Sequence, residues 1–299
     1  MNFPDYPFTG NYLDLNGDRL HYLDEGPHDA DPVVMLHGNP SWSFYYRHLV
    51  HQLKGRWRTI VPDHLGMGLS DTPSIEKYPY TLSRRVDDLE SLLSHLDLRK
   101  KLTFVLHDWG GMIGMAYATR HPDRVGRFVI FNTSAFHLPQ GKRFPWQLKL
   151  CRRPWLGPVM VQGLNAFCRG AVRDCVTRRP MSEAVRNAYL APYDSWEHRV
   201  AVLQFVKDIP LREGDSGYDD ISRIEANLGQ FHDRPMFIGW GMRDFVFDEH
   251  FLHQWTSHFP KAELHRFADA GHYVLEDTAE EMVPLVDRFL NNHPLSPAQ

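Results

Sequence analysis

Phe104-Val105-Leu106-His107-Asp108-Trp109-Gly110-Gly111-Met112-Ile113-Gly114 is the stretch on which the fold turns. An apolar run too short for a helix ends on an acid and crosses a double glycine. It then enters Met112-Ile113-Gly114-Met115-Ala116-Tyr117-Ala118, which suits a helix. The pattern is strand, sharp turn, helix. Asp108 stands at the apex, where a serine stands in Gly-x-Ser-x-Gly turns, and Gly110 and Gly111 remove the Cβ atoms that would block so tight a bend. A carboxylate at that point is a candidate nucleophile. The plainer alternative is an Asp N-cap opening an ordinary helix, with Trp109 in the core; the rest of the chain has to decide between them.

Upstream, Asn16-Gly17 between Tyr12-Leu13-Asp14-Leu15 and Arg19-Leu20-His21-Tyr22-Leu23 signals a hairpin. Pro32-Val33-Val34-Met35-Leu36 reads as a buried strand running into the loop His37-Gly38-Asn39-Pro40, and Arg58 to Asp63 as another strand. A polar helical stretch is expected around Ser43 to Leu53, and an amphipathic helix from Thr81 to Leu98. Downstream, Arg127 to Asn132 is the next buried strand. No convincing strand follows until Pro235-Met236-Phe237-Ile238-Gly239-Trp240-Gly241. Ala262 to Phe267 is a last strand, and Thr278 to Asn291 a closing helix with Thr278 as N-cap and Glu281 three residues on. Pro294 to Gln299 is expected to fray. Strands alternating with helices predict an α/β protein with a mostly parallel central sheet flanked by helices. The core is residues 1–133 and 228–299, and residues 134–227 form an inserted helical cap.

Catalytic groups in such sheets gather beyond the carboxyl ends of the strands. The strand ends present Asn39, Asp108, Asn132, Asp244 and His272. Nucleophile, acid and histidine in the chain order Asp108, Asp244, His272 match a known triad order. Asp108 would attack an electrophilic carbon and form an ester. His272 would act as base, and Asp244 would hold its tautomer and stabilise the imidazolium. Asp248 is the competing acid, better read as a charge at the start of the following helix. Asn132 is an amide and cannot be the charged partner.

With 299 residues, 42% of them hydrophobic, the chain can bury a full core. A formal charge of −4 gives no global pull toward nucleic acid or anionic membranes, which leaves such contacts to local patches. No export signal and no membrane-length apolar run is visible, so a cytoplasmic protein is expected. Cys151, Cys168 and Cys175 are expected as buried apolar side chains. No metal cluster, phosphate loop or dinucleotide fingerprint is present, and no cofactor is expected.

His107-Asp108-Trp109-Gly110-Gly111 together with His37-Gly38-Asn39-Pro40 resembles the haloalkane dehalogenase branch of the α/β-hydrolase fold, over nearly the whole chain. The resemblance implies that side-chain N–H groups of Asn39 and Trp109 bind the departing anion, and that their backbone N–H groups form an oxyanion hole. Epoxide hydrolases share the Asp-Trp-Gly turn but carry an aromatic after His-Gly, against Asn39 here; Tyr189, Tyr193 and Tyr218 keep that third reading open. Fluoroacetate dehalogenases, with arginine where Trp109 stands, are less similar. A finer match, in Asn2-Phe3-Pro4 and Phe136-His137-Leu138-Pro139-Gln140-Gly141-Lys142, resembles the subgroup that includes the β-lactone decarboxylases of bacterial long-chain olefin biosynthesis. It implies a cis-3,4-dialkyl β-lactone substrate, with cis-alkene and carbon dioxide as products. Attack of Asp108 at the alkyl carbon and attack at the lactone carbonyl both remain open. The same site with a deacylating water is a haloalkane dehalogenase, and a non-enzymatic scaffold would have lost a member of the triad.

Between Lys142 and Arg186 the cap carries ten basic residues against Asp174 and Glu183, interleaved with Trp146, Trp155 and aliphatic residues. The plain reading is an apolar underside over a pocket for a small apolar, long-chain substrate, with solvated arginines outside. The sharper one is a surface, containing Arg152 and Arg153, that docks olefin-pathway enzymes or a membrane.

Overall fold

The computed structural model describes residues 3–295; Asn2 of the opening motif and residues 296–299 of the expected frayed tail lie outside them. Eight strands form one sheet: β1 Asn11–Leu15, β2 Asp18–Glu25, β3 Pro32–Leu36, β4 Arg58–Pro62, β5 Leu102–Asp108, β6 Val125–Thr133, β7 Met236–Gly241 and β8 Glu263–Phe267. Their order is β1-β2-β4-β3-β5-β6-β7-β8. The β1/β2 and β2/β4 pairs are antiparallel and the others parallel. Asn16 and Gly17 both have positive φ and place Leu15 opposite Asp18, a two-residue turn whose twist suits a hairpin.

The helices are α1 Arg47–Leu53, α2 Leu82–His95, α3 Trp109–Arg120, α4 Trp146–Cys151, α5 Ala166–Asp174, α6 Glu183–Leu190, α7 Val200–Lys207, α8 Tyr218–Asn227, α9 Glu249–His258 and α10 Val274–Asn292, with a π-helical segment at Pro158–Gly163. From β3 through β7 every strand residue is buried, which is why these segments are nearly continuous apolar runs. Alternate residues still face opposite cores. Val34, Leu36, Phe104 and Leu106 join the core under α2, α3, α8 and α9, while Val33, Met35 and Val105 join the one under α1 and α10. Between β6 and β7 the described chain is helical, with no strand, as expected for an insertion. No described helix is long and apolar enough to cross a membrane.

Two expectations need correction. The stretch from Ser43 to Leu53 is a 3₁₀ turn, Ser43–Tyr46, followed by α1, and much of it is buried rather than solvated. Arg47 is buried because both arms of its guanidinium meet Glu276 of α10, with Nη2 donating to Oε2 at 2.9 Å. That partner lies too far along the chain to be visible locally. The closing helix is two helices joined at a kink: a turn from Val274 precedes Thr278, which stands before the long stretch to Asn292 as expected but accepts no capping bond from a backbone N–H. Thr278 is a non-helical residue inside α10, with φ −130°, and its hydroxyl donates to the Val274 carbonyl at 2.6 Å. A residue that hydrogen-bonds well at a cap can do so at a kink.

Candidate active site

Asp108 closes β5 and is followed at once by α3, so the chain reverses within one residue. Its φ of 51° and ψ of −126° are rare for a residue with a side chain, the kind of strain that clusters at functional turns. The neighbours explain the glycines. A Cβ at position 110 would collide with the Leu36 carbonyl, and one at 111 with the Thr133 hydroxyl. Thr133 Oγ1 donates to the Asp108 carbonyl and fastens the turn to β6.

The loop after β3 brings Asn39 against this turn. His37 sets that loop: its Nδ1 donates to Gly38 O at 2.8 Å, and its Nε2 accepts from His64 N at 3.2 Å. The backbone N–H of Asn39 donates to Asp108 Oδ1 at 2.6 Å, and the Trp109 backbone N–H also bonds the carboxylate. On the other side His272 Nε2 lies 3.7 Å from Asp108 Oδ2. His272 Nδ1 donates to Asp244 Oδ2 at 2.8 Å, while Asp244 Oδ1 accepts from Val246 N at 2.7 Å. The Phe247 ring stacks on the imidazole, and His107 Nε2 donates to the His272 carbonyl at 2.9 Å. The three residues named from strand ends therefore converge.

All three are buried. Burial lifts the Asp108 carboxyl above the usual range, against the opposing pull of His272 and of the two backbone N–H groups. For His272 burial acts toward the neutral ring, but the Asp244 carboxylate outweighs it and the imidazole stays more basic than usual. The arrangement thus sets an imidazole made more basic by Asp244 beside the Asp108 carboxyl.

Asn132 and Asp248 stand apart from this chain of contacts. Asn132 clasps β7, giving Nδ2–H to Gly241 O at 2.9 Å and receiving Gly241 N–H at 2.8 Å. Asp248 caps α9, accepting from His250 N at 3.1 Å, and pairs with Lys142 at 2.9 Å. Asn39 and Trp109 both line a cavity of about 430 Å³ that also holds Asp108 and His272. One Asn39 amide hydrogen is engaged by Val202 O at 3.0 Å, leaving the other for a ligand, and the Trp109 indole N–H has no acceptor among the described residues. The remaining wall is mostly apolar, with Phe136, Leu148, Met160, Phe167, Ile209 and Phe247, although Gln147, Arg173 and Asp174 also border it. Tyr189, Tyr193 and Tyr218 are not part of it; Tyr189 gives its hydroxyl to Glu276 Oε1 at 2.6 Å. Among the described residues no cluster of histidine, cysteine or carboxylate side chains could hold a metal. All three cysteines are buried and free, and Cys151 and Cys175 reach the cavity wall.

One residue beside the site escaped the sequence reading. Arg85 of α2 is fully buried, with its guanidinium 3.7 Å from the Phe205 ring centre and 5.4 Å from that of Trp109. It pairs with Asp208 at 3.0 Å, joining the core to the inserted helices. The signal was present: Arg85 sits on the apolar stripe Leu82, Val86, Leu89, where a charge needs a buried partner.

The sequence model for the α/β hydrolase fold matches residues 31–154. A cis-3-alkyl-4-alkyloxetan-2-one decarboxylase of Shewanella oneidensis is 52% identical, over 95% of this chain and 89% of its own length. One from Xanthomonas campestris pv. campestris is 49% identical, over 99% of this chain and 100% of its own. A haloalkane dehalogenase of Mycolicibacterium paratuberculosis is 33% identical, over 97% and 94%. Among solved structures, the haloalkane dehalogenase DatA of Agrobacterium tumefaciens C58 superposes with a TM-score of 0.84 at 24% identity, over 96% and 97% of the two chains, a likeness of fold. The chain therefore belongs to the haloalkane-dehalogenase-like α/β-hydrolases, in the family of the cis-3-alkyl-4-alkyloxetan-2-one decarboxylases.

Proposed function

We propose that the protein is a decarboxylase of cis-3,4-dialkyl β-lactones, with Asp108 as nucleophile, His272 as its basic partner, Asp244 as triad acid, and Asn39 and Trp109 as the anion-binding pair. The near-full-length identity to two oxetan-2-one decarboxylases carries this reading. The apolar cavity over the triad supports it.

In this reading Asp108 Oδ2 attacks C4, the alkyl carbon bearing the ring oxygen. The C4–O bond breaks and its electron pair leaves on what becomes a carboxylate, held by the Asn39 side chain and the Trp109 indole. The C3–carboxylate bond then breaks, its electrons form the C3=C4 double bond, and the C4–Asp108 bond breaks to return the nucleophile. Carbon dioxide leaves with both lactone oxygens, and neither water nor a net proton is consumed. Inversion at C4 followed by anti elimination gives the geometry of a direct syn loss, so a cis lactone yields a cis alkene. Attack at the alkyl carbon is favoured over the carbonyl because the backbone donors that would receive an oxyanion are already bonded to Asp108. The imidazolium beside Oδ2 stabilises the returning carboxylate. Residues 134–227 act as the lid, with their basic outer face as the surface for docking.

Gas chromatography of the protein incubated with a synthetic cis-3,4-dialkyl β-lactone tests the reading. Asp108→Ala is the control, because β-lactones lose carbon dioxide on heating, and a halide assay on 1-iodobutane runs in parallel. Asp108-dependent alkene with negligible halide is expected. Halide release without alkene would favour the dehalogenase reading, for which the same Asn39 and Trp109 donors speak.

A further inference from the structure

Of the ten large apolar side chains left exposed among the described residues, eight lie on the layer that covers the cavity or in the loop after β7. They form two groups. Leu138, Trp146, Leu211 and Phe245 are exposed and also line the cavity, so they mark its mouth. Trp155, Val159, Leu164 and Trp196 lie on the outer side of the same layer, 74%, 52%, 63% and 46% exposed. Met160 of the π-helical segment faces the cavity while its neighbour Val159 faces outward, and a Cβ on Gly163 would touch the Trp196 ring. Scattered apolar residues on a surface need no explanation, but a concentration around one opening does.

The charges of the layer sort in the same way. Half of the ten basic residues are neutralised or turned inward: Lys142 pairs with Asp248, Arg152 with Asp215, Arg173 with Asp174 and Arg178 with Asp269, and Arg186 bonds the Met181 carbonyl. Arg143, Lys149, Arg153, Arg169 and Arg179 are exposed and have no acidic partner among the described residues. Exposed tryptophans beside unpaired arginines and lysines suit a boundary that is apolar below and anionic above.

We infer that the rim of the cavity and the outer face of α4, the π-helical segment and α5 rest on the surface of an anionic lipid bilayer, and that the dialkyl substrate enters from the lipid side. This rests on the substrate class proposed above. A molecule with two alkyl chains partitions into a bilayer, and an opening ringed by Trp146, Leu138, Leu211 and Phe245 spares it passage through water. Depth is provided by the indoles and aliphatic tips, orientation by the unpaired cations. Each basic residue near an anionic surface adds to the attraction.

The test is flotation of the full chain on a density gradient with phosphatidylglycerol vesicles, and with phosphatidylcholine vesicles as comparison. The inactive Asp108→Asn variant is run alongside, so that binding is measured without turnover. Flotation with the anionic vesicles, weakened by salt and retained in Asp108→Asn, is expected. Trp155→Ala with Leu164→Ala, and separately Lys149→Glu with Arg153→Glu, should each reduce partitioning about tenfold or more. Turnover of a short-chain lactone dissolved in water should stay unchanged in these variants. That second assay keeps the chemistry distinct: alkene formed without flotation overturns the surface and spares the reaction, and flotation without alkene does the reverse. Absence of flotation, flotation indifferent to the four substitutions, or concentration-dependent self-association abolished by the same substitutions would overturn the lipid assignment. The last outcome would give the patch to a second copy of the chain.

Discussion

Asn39 N–H donates to Asp108 Oδ1 across 2.6 Å, so the donor that a substrate carbonyl would need is already holding the proposed nucleophile. Once Oδ2 is alkylated, Oδ1 becomes the ester carbonyl in that same position. A hydrolase would exploit this for deacylation by water. A decarboxylating enzyme does not. After many turnovers in H₂¹⁸O, mass spectrometry of the peptide carrying Asp108 should therefore find it unlabelled; label in the carboxylate would mean that water cleaves the ester.

Asp108→Ala and Asp108→Asn should both lower alkene formation on the order of 10⁴-fold, as loss of a nucleophile does. Neither should unfold the protein. The buried carboxylate is held above its usual pKa by desolvation, so removing its charge relieves a cost, and neither replacement is larger than the aspartate. Thermal melts equal to or above the parent are the expected companion result.

His272 responds to pH through Asp244. Burial alone would push its folded pKa down, and Asp244 reverses the sign, so the folded pKa lies above the unfolded one. That linkage gives stability fully present below the unfolded value and lost as pH rises through the folded value. Asp244→Asn leaves burial dominant and removes it. Urea unfolding should show a larger gap between parent and variant near pH 5.5 than near pH 9, about 1 kcal/mol or more in difference. A gap independent of pH would contradict the assignment.

Arg85 and Asp208 form a buried pair between α2 and the end of α7. Breaking it from one side leaves an unpaired buried charge, so Asp208→Asn should cost about 3–5 kcal/mol. Arg85→Met combined with Asp208→Asn should recover much of this, a coupling that a denaturation double-mutant cycle measures. Since Arg85 also lies against Phe205 and near Trp109, the double variant should bind carboxylate inhibitors more weakly while folding well.

Gly110→Ala drives a methyl group into the Leu36 carbonyl, an atom fixed in the β3/β5 pairing. Unlike a flexible side chain it cannot step aside. Loss of several kcal/mol, or failure to express soluble protein, is expected on thermal and expression assays.

Much of this was legible in the chain because the relevant signals are local. The Asp-Trp-Gly-Gly turn, the buried runs of β3 to β7, and the positions of Asp244 and His272 after β7 and β8 need only short windows. Asp244, named from its place after β7, is the acid that His272 contacts, whereas Asp248 caps α9. What escaped depends on partners distant in sequence. Arg47 is buried by Glu276, Arg85 by Asp208, and Lys142 and Arg178 of the inserted segment pair with Asp248 and Asp269 outside it. Thr278 shows the other limit, since a capping residue and a kinking residue carry the same hydroxyl.

Thr133 grips the Asp108 turn while Asn132, its neighbour on β6, grips β7 just before the loop that carries Asp244. These two adjacent residues are made before the inserted helices, and the loop and His272 after them. During synthesis the growing chain therefore carries the whole Asp108 turn without Asp244 or His272, through the entire translation of the helical layer. The Asp108 carboxylate gains its His272 neighbour only when β7 has paired onto β6, β8 onto β7, and α10 has closed on α1.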